Sequence, residues 1–150
     1  MNQVDLSKPE NRNFPAILRK QSIENGSGEF LVTDQRRLTF AEVDALTDQL
    51  AGGLRSIGVE PTDRVALMLS NDIEMVLLAL ATNKLGAMWT PINAEYKGEW
   101  LLDNLLRCRY KVLVVDDALQ NSVAAVQNKL GNEAIVLVGD INQSTLNNPI

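Results

Sequence analysis

Apolar residues recur at spacings of three and four through Phe40, Val43, Leu46, Leu50, Leu54 and Ile57, the pattern that lines one face of an α-helix. Thr39 and Glu42 form a Thr-x-x-Glu capping box at its start, and Gly58 supplies its stop. Gly52 and Gly53 inside this helix each cost about 1 kcal/mol relative to alanine, which implies either a close packing contact or a tolerated weak spot. Upstream, Phe14, Ile17 and Leu18 mark a short helix over 14–24, closed by Asn25 and Gly26. Residues 29–33 and 37–39 read as two strands around a turn at 34–36, and Gly26-Ser27-Gly28 as the turn leading into them.

Beyond Gly58 the pattern alternates. Strands are predicted at 65–69, 87–90, 111–115 and 134–138, and helices at 73–85, 98–107 and 119–130. Val112-Leu113-Val114-Val115 and Ile135-Val136-Leu137-Val138 are apolar without alternation, as expected where helices cover both faces of a sheet, one face taking Val136 and Val138 and the other Ile135 and Leu137. Strand, helix, strand in repetition predicts an α/β fold with a parallel, doubly wound sheet. The polar stretch 142–149 reads as a loop.

One joint in this series is unusually explicit. In Asn83-Lys84-Leu85-Gly86-Ala87-Met88-Trp89-Thr90-Pro91-Ile92-Asn93, Gly86 can take the left-handed conformation that ends a helix, and Lys84 suits the negative end of the helix dipole. Pro91 holds Thr90 extended and, lacking an N–H, makes a strand interior unfavourable beyond it. Met75, Leu77, Leu78 and Leu80 form a core stripe in the preceding helix, and Trp89 and Trp100 read as packing residues.

Composition narrows the function classes. With 150 residues, 45% of them hydrophobic, the chain has the size and apolar content of one soluble domain. A net charge of −5 with no strongly basic cluster argues against nucleic acid or an anionic membrane as partner. The longest apolar run, 75–81, is far short of the ~20 residues a membrane helix needs. The polar opening lacks the apolar core of a secretory signal. Cys108 is the only cysteine, which excludes an internal disulfide and fits a cytoplasmic setting; its neighbours Leu105 and Leu106 point to a packed thiol. The chain has no histidine, so no Ser/His or Cys/His nucleophile pair can be built. No metal-ligand cluster is evident. Asp116 and Asp117 follow a strand, as the Mg²⁺-binding carboxylates of receiver domains do, but only one further strand follows, and a solvated helix start explains them better.

The Gly86 joint resembles the Lys-x-Gly-x-x-x-x-Pro-hydrophobic-Asn/Asp motif of adenylate-forming (AMP-binding) enzymes: acyl-CoA synthetases, peptide-synthetase adenylation domains and luciferases. Three further stretches extend the likeness in the same order and spacing. Leu38-Thr39-Phe40-Ala41-Glu42-Val43 is similar to the family's Leu-Thr-Tyr-x-Glu-Leu, Gly58-Val59 through Asp63-Arg64-Val65 to Gly-Val-x-x-Gly-Asp-Arg-Val, and Leu69-Ser70-Asn71 to Leu-Pro-Asn. Thr62 departs from the usual glycine and Ser70 from the usual proline, which touches loop geometry more than function. The run from Pro91 to Glu99 resembles acyl-CoA synthetases of the carnitine-CoA ligase and fatty-acid-CoA ligase type.

The resemblance implies an enzyme that activates a carboxylic acid with ATP and Mg²⁺ as an acyl-adenylate and transfers the acyl group to coenzyme A. It also implies that 1–150 is the N-terminal fragment of such a domain, with the catalytic remainder absent. The family's glycine-rich phosphate loop does not occur here, and no residue is assigned a catalytic role. By resemblance, Asn93, Ala94 and Glu95 lie near coenzyme A; a solvent loop in which Asn93 caps local backbone is the plainer reading. The competing function is a free-standing α/β binding or interaction module without catalysis.

Overall fold

The computed structural model describes residues 7–9, 12–70 and 72–131, together with the backbone of 134–138. The loop expected over 142–149, Asn71 and the facing of the side chains of 134–138 lie outside the described residues.

Helix α1 (Phe14–Glu24) opens with Asn13, whose side chain accepts the Ala16 N–H, and with Pro15 in its first turn, where the missing donor costs nothing. A small antiparallel pair follows, β1 (Glu29–Val32) and β2 (Arg37–Thr39). Helix α2 (Phe40–Ser56) starts at the expected capping box, with both reciprocal hydrogen bonds made. It ends as the sequence predicts. Gly58 has φ +91°, the Gly58 N–H donates to the Arg55 carbonyl at 3.0 Å, and the Val59 N–H donates to Leu54 at 3.1 Å.

The main sheet contains β3 (Arg64–Met68), β4 (Met88–Pro91), β5 (Val112–Asp116) and β6 (Ala134–Val138), all parallel, in the order β4-β3-β5-β6. Helix α3 (Ile73–Lys84) links β3 to β4, and α4 (Gly98–Cys108) links β4 back across β3 to β5. The joint after α3 is a complete Schellman turn: Gly86 has φ +71°, its N–H donates to Asn83, and Ala87 N–H donates to Thr82 at 3.2 Å. Pro91 is the last residue of β4, an outermost strand of the sheet, where a missing donor is tolerated.

Alternate residues of the central strands divide between two cores. Val65, Leu67, Val112 and Val114 pack with α2 and α3, while Ala66, Met68, Leu113 and Val115 pack with α4. The sheet is therefore doubly wound, as the pattern predicts, and the 75–80 stripe is core.

Two expectations need correction, and one open alternative is decided. The helix expected over 119–130 is broken: a 3-10 turn at Asp117–Leu119, a short α5 (Gln120–Ala124) and a 3-10 turn at Gln127–Lys129. Only Val123 and Val126 of this stretch are buried, so the apolar face is too narrow to hold one long helix. Trp89 and Trp100 are not packing residues; they are 40% and 74% exposed. Gly52 has open space where a side chain would stand, so it marks a weak spot in α2 and not a close contact. Cys108 is buried as expected beside Leu105, although Leu106 faces outward.

Candidate functional site at the carboxyl edge of the sheet

The helix that follows β3 packs on one face of the sheet, and the segment that follows β5 packs on the other. The crevice between these neighbouring strands is the topological switch point, where ligands of open α/β sheets bind outside the carboxyl ends. Two side chains meet across it. Ser70, just past β3, donates its hydroxyl to Oδ2 of Asp116, the last residue of β5, at 2.8 Å. The other carboxylate oxygen, Oδ1, accepts the Ala118 N–H at 3.0 Å and starts the 3-10 turn. Asp72 caps α3 at the same edge by accepting the Ile73 N–H.

The expected coenzyme-proximal turn leaves the same edge one strand further out. The Asn93 Oδ1 accepts the Glu95 N–H at 2.9 Å, and the Asn93 carbonyl accepts the Tyr96 N–H at 3.1 Å. This is the local capping anticipated as the plainer reading. Asn93 and Glu95 are exposed, and Ala94 is half-buried.

Asp72, Glu95, Asp116 and Asp117 make this edge acidic, with Lys97 as the nearby cation in sequence. Such a field suits a neutral base or amide better than a polyphosphate. Among the described residues no group of three or more carboxylate, histidine or cysteine side chains is placed to hold a metal ion. Ser70 faces a carboxylate but no imidazole, so it is not an activated nucleophile of the Ser/His kind. Asp116 accepts the N–H that opens the 3-10 turn, and Asp117 accepts from Gln120 Nε2 at 3.0 Å, the local roles of a solvated turn and helix start.

The Ser70–Asp116 pair was not anticipated from the sequence. The signal was present: both residues immediately follow apolar strands that finish at one edge. Only the strand order makes those two ends adjacent.

A second constellation ties α1, α2 and α3 together. Lys84 of the Gly86 joint reaches Asp44 Oδ1 and Asp48 Oδ1, both at 2.7 Å, and Arg19 reaches Asp44 at 2.8 Å and Asp48 at 2.7 Å. Ser22 adds a hydrogen bond to Asp44 at 2.8 Å. The Lys84 hydrogen bond, helped by Arg19, holds the Asp48 carboxyl below its ordinary range. The Asp48 carboxylate in turn holds the Arg19 guanidinium above its own. The lysine of the motif is therefore a structural clamp beneath the sheet.

The geometry agrees with known proteins. Tyrocidine synthase 3 of Brevibacillus parabrevis is 28% identical over 111 residues, covering 74% of this chain and 2% of that protein. The medium/long-chain-fatty-acid–CoA ligase FadD6 of Mycobacterium tuberculosis is 30% identical over 139 residues, covering 91% of this chain and 23% of the ligase. The crystal structure of the anthranilate CoA ligase AuaEII, solved with anthranoyl-AMP, superposes with a TM-score of 0.79 at 26% identity, over 85% of this chain and 25% of that one. The chain thus spans a quarter or less of the proteins it matches here. Residues 18–149 match the AMP-binding enzyme family, and the chain belongs to that family.

Proposed function

We propose that this chain is the N-terminal part of an ATP-dependent acyl-CoA synthetase, the remainder of which carries the adenylation chemistry. The observation that carries the reading is the Gly86 joint with its continuation: a Schellman turn, an outermost strand ended by Pro91, and the Asn93-Ala94-Glu95 turn at the carboxyl edge. In the longer protein a carboxylic acid and ATP, with Mg²⁺, give an acyl-adenylate, and coenzyme A takes the acyl group. A carboxylate is a poor electrophile until one oxygen joins a good leaving group, and the charge that develops needs cations and backbone donors. The acidic carboxyl edge of this chain does not supply those cations, so no phosphate-handling step is assigned to it. Asn93, Ala94 and Glu95 are proposed to meet a neutral portion of coenzyme A, with Asn93 Nδ2 as donor. The carnitine-type or fatty-acid-type substrate belongs to this proposal, supported by the 91–99 run. A cytoplasmic setting, without nucleic-acid partners, is supported by the single buried thiol and the net charge of −5.

The test is to assay carboxylate-dependent ATP–pyrophosphate exchange for residues 1–150 alone and for the same chain joined to the remainder of an acyl-CoA synthetase. The fragment alone should show none, and the joined protein should show exchange and a coenzyme A thioester. Exchange by the fragment alone would overturn the partition of the chemistry. Adenylate formation in the joined protein without any thioester would overturn the acyl-CoA assignment in favour of another adenylating activity. An Asn93→Ala version of the joined protein should raise KM for coenzyme A and leave that for ATP unchanged.

A further inference from the structure

The opposite, amino edge of the sheet carries the one arginine cluster that the described cavities reveal in this acidic chain. Arg64, the first residue of β3, and Arg107 and Arg109, at the end of α4, line a cleft of about 480 Å³ with Leu106. An adjoining recess of about 190 Å³ shares Leu106 and Arg109 with it and is walled by Leu105, Tyr110 and Leu130. The guanidinium groups therefore adjoin a hollow whose lining is shared between leucine side chains and polar atoms.

Two of the arginines have local work. Arg64 donates to the Cys108 carbonyl at 3.2 Å, closing the C-terminus of α4, and Arg107 pairs with Asp103 one turn back. Each keeps further donors, since a guanidinium has five N–H groups. Arg109 has neither a carboxylate nor a carbonyl partner for its side chain among the described residues, and its backbone stands at φ +50°, in the left-handed region. Glycine would occupy that position at lower cost. Arg109 thus stands in a strained position beside two other arginines and next to the leucine-lined recess.

We propose that this cleft binds an amphiphilic organic anion, a carboxylate or phosphate head on the Arg64, Arg107 and Arg109 guanidiniums with a short hydrocarbon part in the recess beside Leu106 and Tyr110. Guanidiniums bind either head in bidentate fashion. The site lies at the end of the sheet away from Asn93, so it does not depend on the ligase reading.

Titrating ¹⁵N-labelled protein with hexanoate and with hexyl phosphate tests it. One or both should shift the amides of Arg109, Tyr110 and Gly131 saturably, and the tighter probe identifies the preferred head group. Inorganic phosphate and hexanol should each bind more weakly than the probe that joins head and chain. Arg109→Gly should weaken binding by about tenfold, as loss of a charge-assisted pair does. Because that change also relieves the left-handed backbone, the variant should melt no lower than the parent, so lost binding cannot be unfolding. Arg64→Gln provides a second weakened variant. Absence of saturable shifts, shifts confined to Asn93–Tyr96, unchanged affinity in Arg109→Gly, or inorganic phosphate binding as tightly as the amphiphiles would each overturn the proposal.

Discussion

The two faces of the sheet are closed by different physics. On one, α2 and α3 bury Val43, Leu50, Leu54, Leu77 and Leu78 against the strands, and the three helices are pinned by Lys84, Arg19, Asp44 and Asp48. On the other, α4 contributes Leu101, Leu102 and Leu105, the segment beyond β5 contributes Val123 and Val126, and the ion pairs Arg107–Asp103 and Lys129–Glu99 are exposed. Exposed pairs of that kind contribute ~0–1 kcal/mol. The first face therefore adds to its apolar burial a charge cluster around a buried carboxylate, whereas the second has only exposed ion pairs beside its apolar area.

Breaking the clamp should be the largest effect. Lys84→Met removes one of the two cations that pair with Asp44, which is only 3% exposed, and leaves Arg19 alone to balance both carboxylates of the cluster, at a cost of up to about 3–5 kcal/mol. Denaturant midpoints should show it, and adding Asp44→Asn should recover part of the loss. Acid should act through the same network. The Asp48 carboxyl is held below its ordinary value of 3.8, so its contribution is fully present above that value and is lost as pH falls through the lower, folded value. Stability of the parent should thus drop more steeply below about pH 4 than that of Lys84→Met. Equal acid profiles would show that the clamp is not the pH-sensitive element.

On the opposite face, Leu105→Ala should cost about 2–5 kcal/mol through lost transfer and a residual cavity. Its acid profile should stay parallel to the parent's, because no buried ion pair lies on that side among the described residues. A change in profile would mean that the two faces are coupled through the sheet.

The same contrast explains what could be read in advance. The charge-clamped face announces itself: heptad-like spacing, a capping box and two glycine stops put α2 and α3 within a residue of their observed limits. The other face does so only in part: α4 lies within a residue of its expected limits, but the stretch over 119–130 carries enough apolar residues to suggest one helix and buries only two of them. At the ligand edge, the Asn93 turn was legible from Pro91 onward, being local. The Ser70–Asp116 pair was not, because its partners stand 46 positions apart and meet only through the strand order. Trp89 and Trp100 misled for a similar reason: size and hydrophobicity argue for burial, while the edge position of β4 and the outer face of α4 decide against it.

A smaller effect tests the loop that leads from the clamped face into the sheet. Glu60-Pro61-Thr62-Asp63 forms a turn closed by the Asp63 N–H on the Glu60 carbonyl at 3.1 Å, with Thr62 at φ +74°. Proline second and a left-handed residue third is the arrangement of a type II turn, which favours glycine third. The Thr62 departure from the family's usual glycine is therefore a strained one. Thr62→Gly should raise stability by about 1 kcal/mol, read as a higher melting temperature. A fall would show that the threonine side chain contributes more than its backbone costs.

The smallest expected change lies within the clamped face itself, at Gly52 on the exposed side of α2. Glycine in a helix interior is less favourable than alanine by about 0.5–1 kcal/mol, because it gives up more backbone freedom on folding. Nothing stands within 4 Å of where the alanine methyl would lie, so no packing penalty offsets the gain. Gly52→Ala should therefore raise the melting temperature modestly and leave the acid profile unchanged, since the clamp residues are untouched. If it lowers the melting temperature instead, α2 needs its glycine for a contact outside the residues described, and the open space at that position belongs to an interface.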